Sequence, residues 1–226
     1  MRIVSLRLLT GDLNALRTFY TTVLEFPLLE DRNDSFTVKA GHSNLTFEQT
    51  AHPEEKPFYH FAFDIPGNRV EEAIAWLGAK DVQLRLLPNH AYTHYSHTWN
   101  ATSIYFYDPA NNVVEFIARH TLGNESASPF SAANITNISE IGLVVDDVPG
   151  TMAYLKTTLL IDGYKDSSEN FAAVGAEDGL FILSAKQRVW LGSDRKADIF
   201  RTEVTVSGIH GDVTSIPHYP YTITIS

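Results

Sequence analysis

Ser103-Ile-Tyr-Phe-Tyr-Asp-Pro-Ala-Asn-Asn-Val-Val-Glu-Phe116 reads as a β-hairpin: two apolar, β-prone runs separated by a polar, proline-bearing turn at residues 108–112. Its closing run carries a carboxylate, Glu115, between Val113-Val114 and Phe116-Ile117. A second stretch, Phe58-Tyr-His-Phe-Ala-Phe-Asp64, sets an imidazole among aromatics; strand alternation places Phe58, His60 and Ala62 on one face and Tyr59, Phe61 and Phe63 on the other. Buried ionisable groups are costly unless they are paired or metal-bound. One on each of two strands that bracket a single α/β unit therefore marks a candidate site.

The unit between them is a strand at 58–64, a turn at Pro66-Gly67-Asn68, a helix carrying Val70, Ala73-Ile74 and Leu77, and strands at 83–87, 102–107 and 113–118. The same order precedes it. Ile3–Leu9 reads as a strand, Thr10-Gly11-Asp12 as a turn and helix cap, and Leu13, Leu16, Phe19-Tyr20 and Val23-Leu24 as one helical stripe. Strands at Ser35–Ala40 and Asn44–Thr50 follow. A slide of 135 residues lays Leu6–Leu13 over Ile141–Val148 and Phe19–Leu24 over Tyr154–Leu159, so a third opening begins at Ile138. The predicted architecture is α+β, with repeated βαβββ modules. Modules at 1–55 and 56–120 pair, 121–137 is a small, polar linker, and 138–226 is a third, partial or modified module with a strand-rich tail.

The bulk composition excludes several function classes. A formal charge of −10 argues against nucleic acid and anionic membranes as partners. With no cysteine, thiol catalysis, disulfides and thiolate metal sites are out, and any metal site must use imidazole, carboxylate or water. The N-terminus runs straight into a strand pattern, and no apolar run has membrane-spanning length, so a soluble, cytoplasmic protein is expected.

Tyr105–Phe116 resembles the last hairpin, and Val4–Leu24 the opening strand and helix, of a module of the vicinal-oxygen-chelate superfamily, which groups glyoxalase I, bleomycin resistance proteins and extradiol dioxygenases. The resemblance covers residues 1–120 best and the tail least. It implies curved mixed sheets around a cleft that often holds a divalent metal. It also implies ligands from the first and last strands of two paired modules, which fall at Ser5 and His60 and at Glu48 and Glu115. Serine stands where a histidine is usual and is a poor ligand beside imidazole and carboxylate. Glu48, His60 and Glu115 are therefore the expected ligands of a divalent metal such as Zn, Fe, Mn or Ni.

Blander readings exist for each residue alone. His60 can be a core histidine donating to a carbonyl, Glu115 can sit on a wet sheet face, and Glu48, between Thr46 and Thr50, can be solvated. Their joint occurrence at matched repeat positions favours the metal. The run His90-Ala-Tyr-Thr-His-Tyr-Ser-His97-Thr-Trp99 is either a surface loop or a cap on the cleft, with His94 or His97 as the catalytic base. In the third repeat Glu140 takes the opening ligand-like position, but the same slide carries Glu48 onto Leu183, so a structural role is expected there. The functional expectation is a metal-dependent enzyme acting on a small substrate with vicinal oxygens, glyoxalase-like or dioxygenase-like. The alternative is a metal-free small-molecule binding or resistance-type protein of the same fold. Uncovered sheet edges make a homodimer the expected assembly.

Overall fold

The computed structural model describes residues 1–52, 54–165, 167–211 and 214–226. The first module is β1 (Arg2–Thr10), α1 (Leu13–Thr18), β2 (Leu28–Asp31), β3 (Ser35–Ala40) and β4 (Ser43–Gln49). Asp12 caps α1 by accepting from the Ala15 amide. The helix widens into a π turn over Phe19–Val23, where the adjacent rings of Phe19 and Tyr20 are both buried.

The second module is β5 (His60–Ile65), α2 (Val70–Ala79), β6 (Thr93–Ser96), β7 (Ala101–Tyr107) and β8 (Val113–Arg119). Asp108 organises the β7–β8 turn: it accepts from the amides of Ala110 and Asn112, and the Tyr20 hydroxyl donates to it across the core at 2.9 Å. Residues 83–87, expected as a strand, make only an isolated bridge through Leu84 to Phe106, while part of the histidine-rich run forms β6.

The rest of the chain supplies β9 (Asn137–Val145), α3 (Val148–Leu159), β10 (Phe171–Ala176), β11 (Gly179–Ala185), β12 (Thr202–Ser207), β13 (Thr214–Ser215) and β14 (Tyr221–Ile225). Two seven-stranded sheets result, ordered β13-β14-β12-β1-β4-β3-β2 and β10-β11-β9-β5-β8-β7-β6. The modules therefore pair as nested brackets. β1 runs antiparallel to β12 from the tail, and β5 runs antiparallel to β9 of the third module. This differs from the pairing of 1–55 with 56–120 expected from the sequence: those two modules lie in separate sheets.

The sheets press their apolar faces together in one core. Tyr20, Phe26, Phe36, Phe47, Phe61 and Phe63 meet there with ring centroids 5–6.5 Å apart, and one buried cluster runs from Ile3 to Ile223. Segment 121–137 is tied down rather than loose. Phe130 is buried against Trp76 and Phe116, and its amide donates to Glu72. At Gly41, with φ of +58°, a Cβ would lie 2.0 Å from the Thr136 carbonyl oxygen, so only glycine lets the β3–β4 turn meet this segment. No helix among the described residues is long and apolar enough to cross a membrane.

Candidate metal centre

On β5, Phe61 and Phe63 face the core, which turns His60, Ala62 and Asp64 to the opposite face of the second sheet. Parallel pairing sets Glu115 of β8 beside Ala62, and antiparallel pairing sets Glu140 of β9 on its other side. His60, Glu115 and Glu140 thus converge, and one ligand atom from each lies within 4.8 Å of the others. His60 Nε2 is 3.5 Å from Glu115 Oε2 and 4.0 Å from Glu140 Oε2. All three side chains are buried.

The donor chemistry fits a divalent cation. His60 Nδ1 lies 3.0 Å from the Val113 carbonyl oxygen and donates to it, which leaves the Nε2 lone pair for a ligand. Two donors bonded to one ion at about 2.0–2.1 Å are held roughly 3–4 Å apart, the spacing of His60 from each carboxylate. Arg119, wholly buried, binds Glu140 Oε1 through Nη2 and Asp64 Oδ1 through Nε at 3.2 Å. Among the described residues, no hydrogen bond reaches Glu140 Oε2.

Charge points the same way. Asp64, Glu115 and Glu140 are three buried carboxylates against one guanidinium, an excess of two negative charges when all are ionised. Burial, with Glu140 adding to it, pushes Glu115 up to about 8. Burial also raises Glu140, against the opposing pull of Arg119, and lifts Asp64 to about 7. Burial lowers His60 to about 4, so the imidazole is neutral at pH 7 and able to ligate. A dication would cancel the excess charge and hold both glutamates ionised.

The cluster opens onto a cavity of about 200 Å³. His94 of β6 lines it, as do Ser103 and Tyr105 of β7 and Ile182 of β11. Its outer wall comes from the loop between β11 and β12, which carries Arg188 and Trp190. The Trp190 ring lies 4.8 Å from the imidazole of His60. Gly142 makes room for it: a Cβ there would sit 2.7 Å from the indole.

Of the residues expected from the sequence, His60 and Glu115 meet and Glu48 does not. Glu48 stands in the other sheet, 2.8 Å from Arg7 and 3.3 Å from Arg201, because β4 lies between β1 and β3 rather than in the sheet of β5. Glu140 supplies the third donor, in place of the structural role expected for it. Leu183 points into the core, and the register puts Ile182, one residue earlier, at the fourth cleft position. His94 reaches the cavity, whereas His97 is exposed, with its ring against Tyr95. Arg188 and Trp190 carried no strand or helix signal, and so went unnoticed in the sequence.

The family model for the glyoxalase/bleomycin resistance protein/dioxygenase superfamily matches residues 2–116. The chain belongs to that superfamily. Solved structures of the fold extend the likeness along the whole chain. A proposed dioxygenase of Bacillus subtilis superposes with a TM-score of 0.66 at 12% identity, covering 100% of this chain and 85% of that one. A point variant of glyoxalase I from Zea mays gives 0.58 at 14% identity, covering 90% and 74%. At such identities the likeness is one of fold. No curated protein matches the sequence.

Proposed function

We propose that this superfamily member is a divalent-metal-dependent enzyme acting on a small substrate with neighbouring oxygens. The observation that carries this reading is the convergence of His60, Glu115 and Glu140 at the floor of a cavity. Three protein donors, with the apolar Ile182 at the fourth position, leave coordination sites for a substrate, as catalytic metal sites require. A bound cation of this kind polarises substrate oxygens and lowers the pKa of a hydroxyl.

The chain's own groups would do the rest. Val113 fixes the His60 tautomer, and Arg119 fixes the rotamer of Glu140. Trp190, lying over His60, limits the access of water. His94 lines the same cavity, and we assign it the movement of the substrate proton. The donor set of one imidazole and two carboxylates suits Zn, Fe or Mn. A redox metal supports dioxygenase-like chemistry, and the others support glyoxalase-like isomerisation.

Metal analysis of protein purified without a polyhistidine tag tests the proposal. About one equivalent per chain, lost on chelation and in Glu115→Gln, is the expected result. A well-folded protein that stays empty in Zn, Fe, Mn and Ni would leave the metal-free binding protein as the reading. Oxygen uptake by the iron-loaded form separates the two chemistries. A cytoplasmic setting and pairing with a second copy through open sheet edges belong to the same proposal, and a light-scattering mass of one chain would remove the pairing.

A further inference from the structure

Among the described residues, Arg188 is a guanidinium without a carboxylate. It lines the cavity of the metal centre, is half-buried, and has no acidic side chain within ion-pair distance among the described residues. Its charge reaches His60 across the cavity. One face of the guanidinium lies over the ring of Phe171, 4.9 Å from the centroid, an arrangement that fixes the plane and leaves the N–H donors at its edge unused. By contrast Arg2, Arg7, Arg17, Arg32, Arg69, Arg85, Arg119 and Arg201 all have acidic partners. Arg195 also has none among the described residues, but it lies over the Phe58 ring and does not line the cavity. A half-buried guanidinium left unpaired in a chain of net charge −10 is a vacancy for an anion.

The remaining walls define the anion's body. Trp99, Tyr105, Phe171 and Trp190 line the cavity, and its volume, about 200 Å³, is below the roughly 300–1,000 Å³ of pockets for drug-sized ligands. There is room for a single ring with small substituents. The charges are consistent: once a dication offsets the excess at the carboxylates, one positive charge remains, that of Arg188.

We propose that the site takes a small monoanionic aromatic acid, its carboxylate gripped by Arg188, its ring between the aromatic walls and its ring oxygen turned toward His60, Glu115 and Glu140. The direction of the oxygen rests on the metal-centre reading. The Arg188 anchor does not.

Calorimetric titration with salicylate and with salicylamide tests this on the wild type and on Arg188→Gln. The two probes share a ring and an ortho oxygen but differ in charge. Each protein is titrated after chelator treatment and again after zinc loading. Wild-type protein should prefer salicylate by on the order of ten- to a hundredfold in the chelated form, the range of a charge-assisted bidentate contact. Arg188→Gln should lose that preference, while its salicylamide affinity, zinc content and melting temperature stay at wild-type values. Arg188→Lys, which keeps the charge but not the fork, should retain part of it. Equal affinities in the wild type, or a preference that survives Arg188→Gln, would overturn the anchor. A preserved preference in a protein that never takes up zinc would overturn the metal centre and leave the anchor standing.

Discussion

The two sheets share a plan and differ in what their outer faces hold. In the second, His60, Glu115, Glu140 and Ile182 occupy the four positions around the junction of β5 and β9. The strand registers put Ser5, Thr46, Glu203 and Thr224 at the same positions around β1 and β12 in the first. Only Glu203 keeps a carboxylate there, and both Arg7 and Arg201 reach it. Thr46 bonds to Thr37 at 2.9 Å instead of facing a cation. The first sheet thus balances its acids with partly exposed arginines on the same face, and the second leaves buried acids in excess. A sheet that already neutralises its own charge has no electrostatic use for a metal.

Removing one carboxylate from each sheet should give the largest contrast. Glu115→Gln is expected to weaken zinc binding by at least about a hundredfold, whereas Glu48→Gln leaves the stoichiometry and affinity unchanged, read by calorimetry. Equal losses would dissolve the distinction between the sheets. The arginines come next. Arg119→Met strands buried carboxylates and should cost about 3–5 kcal/mol in urea unfolding, while Arg7→Met, partly exposed, should cost less than about 1 kcal/mol.

The pH dependence is a third contrast. The proton on Glu115 leaves only near pH 8, and a metal must displace it. Zinc affinity should therefore fall up to about tenfold per pH unit below 8 and level off above it. A flat profile between pH 6 and 8 would show that Glu115 is already ionised without metal. In the smallest expected effect, Ser5→His with Thr46→Glu restores donors to the first sheet but leaves Arg7 and Arg201 on Glu203. No second equivalent of zinc should bind; a second equivalent would mean that donors alone decide.

Local pattern made much of this legible. The alternation around His60, the stripe from Leu13 to Leu24 and the hairpin at 103–116 depend on near neighbours in the chain, and each formed as expected. Which module lies beside which depends on distant residues, such as Arg7 opposite Glu203, and no periodicity encodes that choice. Glu48 was misplaced for this reason and by two residues of register, since Thr46 takes the position that matches Glu115. At Leu183 the error was one residue of register, which in a strand exchanges the two faces and hid Ile182. The wall with Arg188 and Trp190 belongs to a loop shaped by Gly142 and Tyr105, contacts that have no sequence signature.

The nested order of modules bears on how the chain comes off the ribosome. The middle strands β5, β8 and β9, with all three metal donors, are finished before β12 exists. β1 is made first, yet one of its edges has no hydrogen-bonding partner until Thr202–Ser207 emerge. At about 5–20 residues per second, that open edge waits roughly ten to forty seconds. The half of the molecule that holds the donors can thus close early, while the half without them spends the longest time with an open strand edge, the form most prone to pairing with the wrong chain.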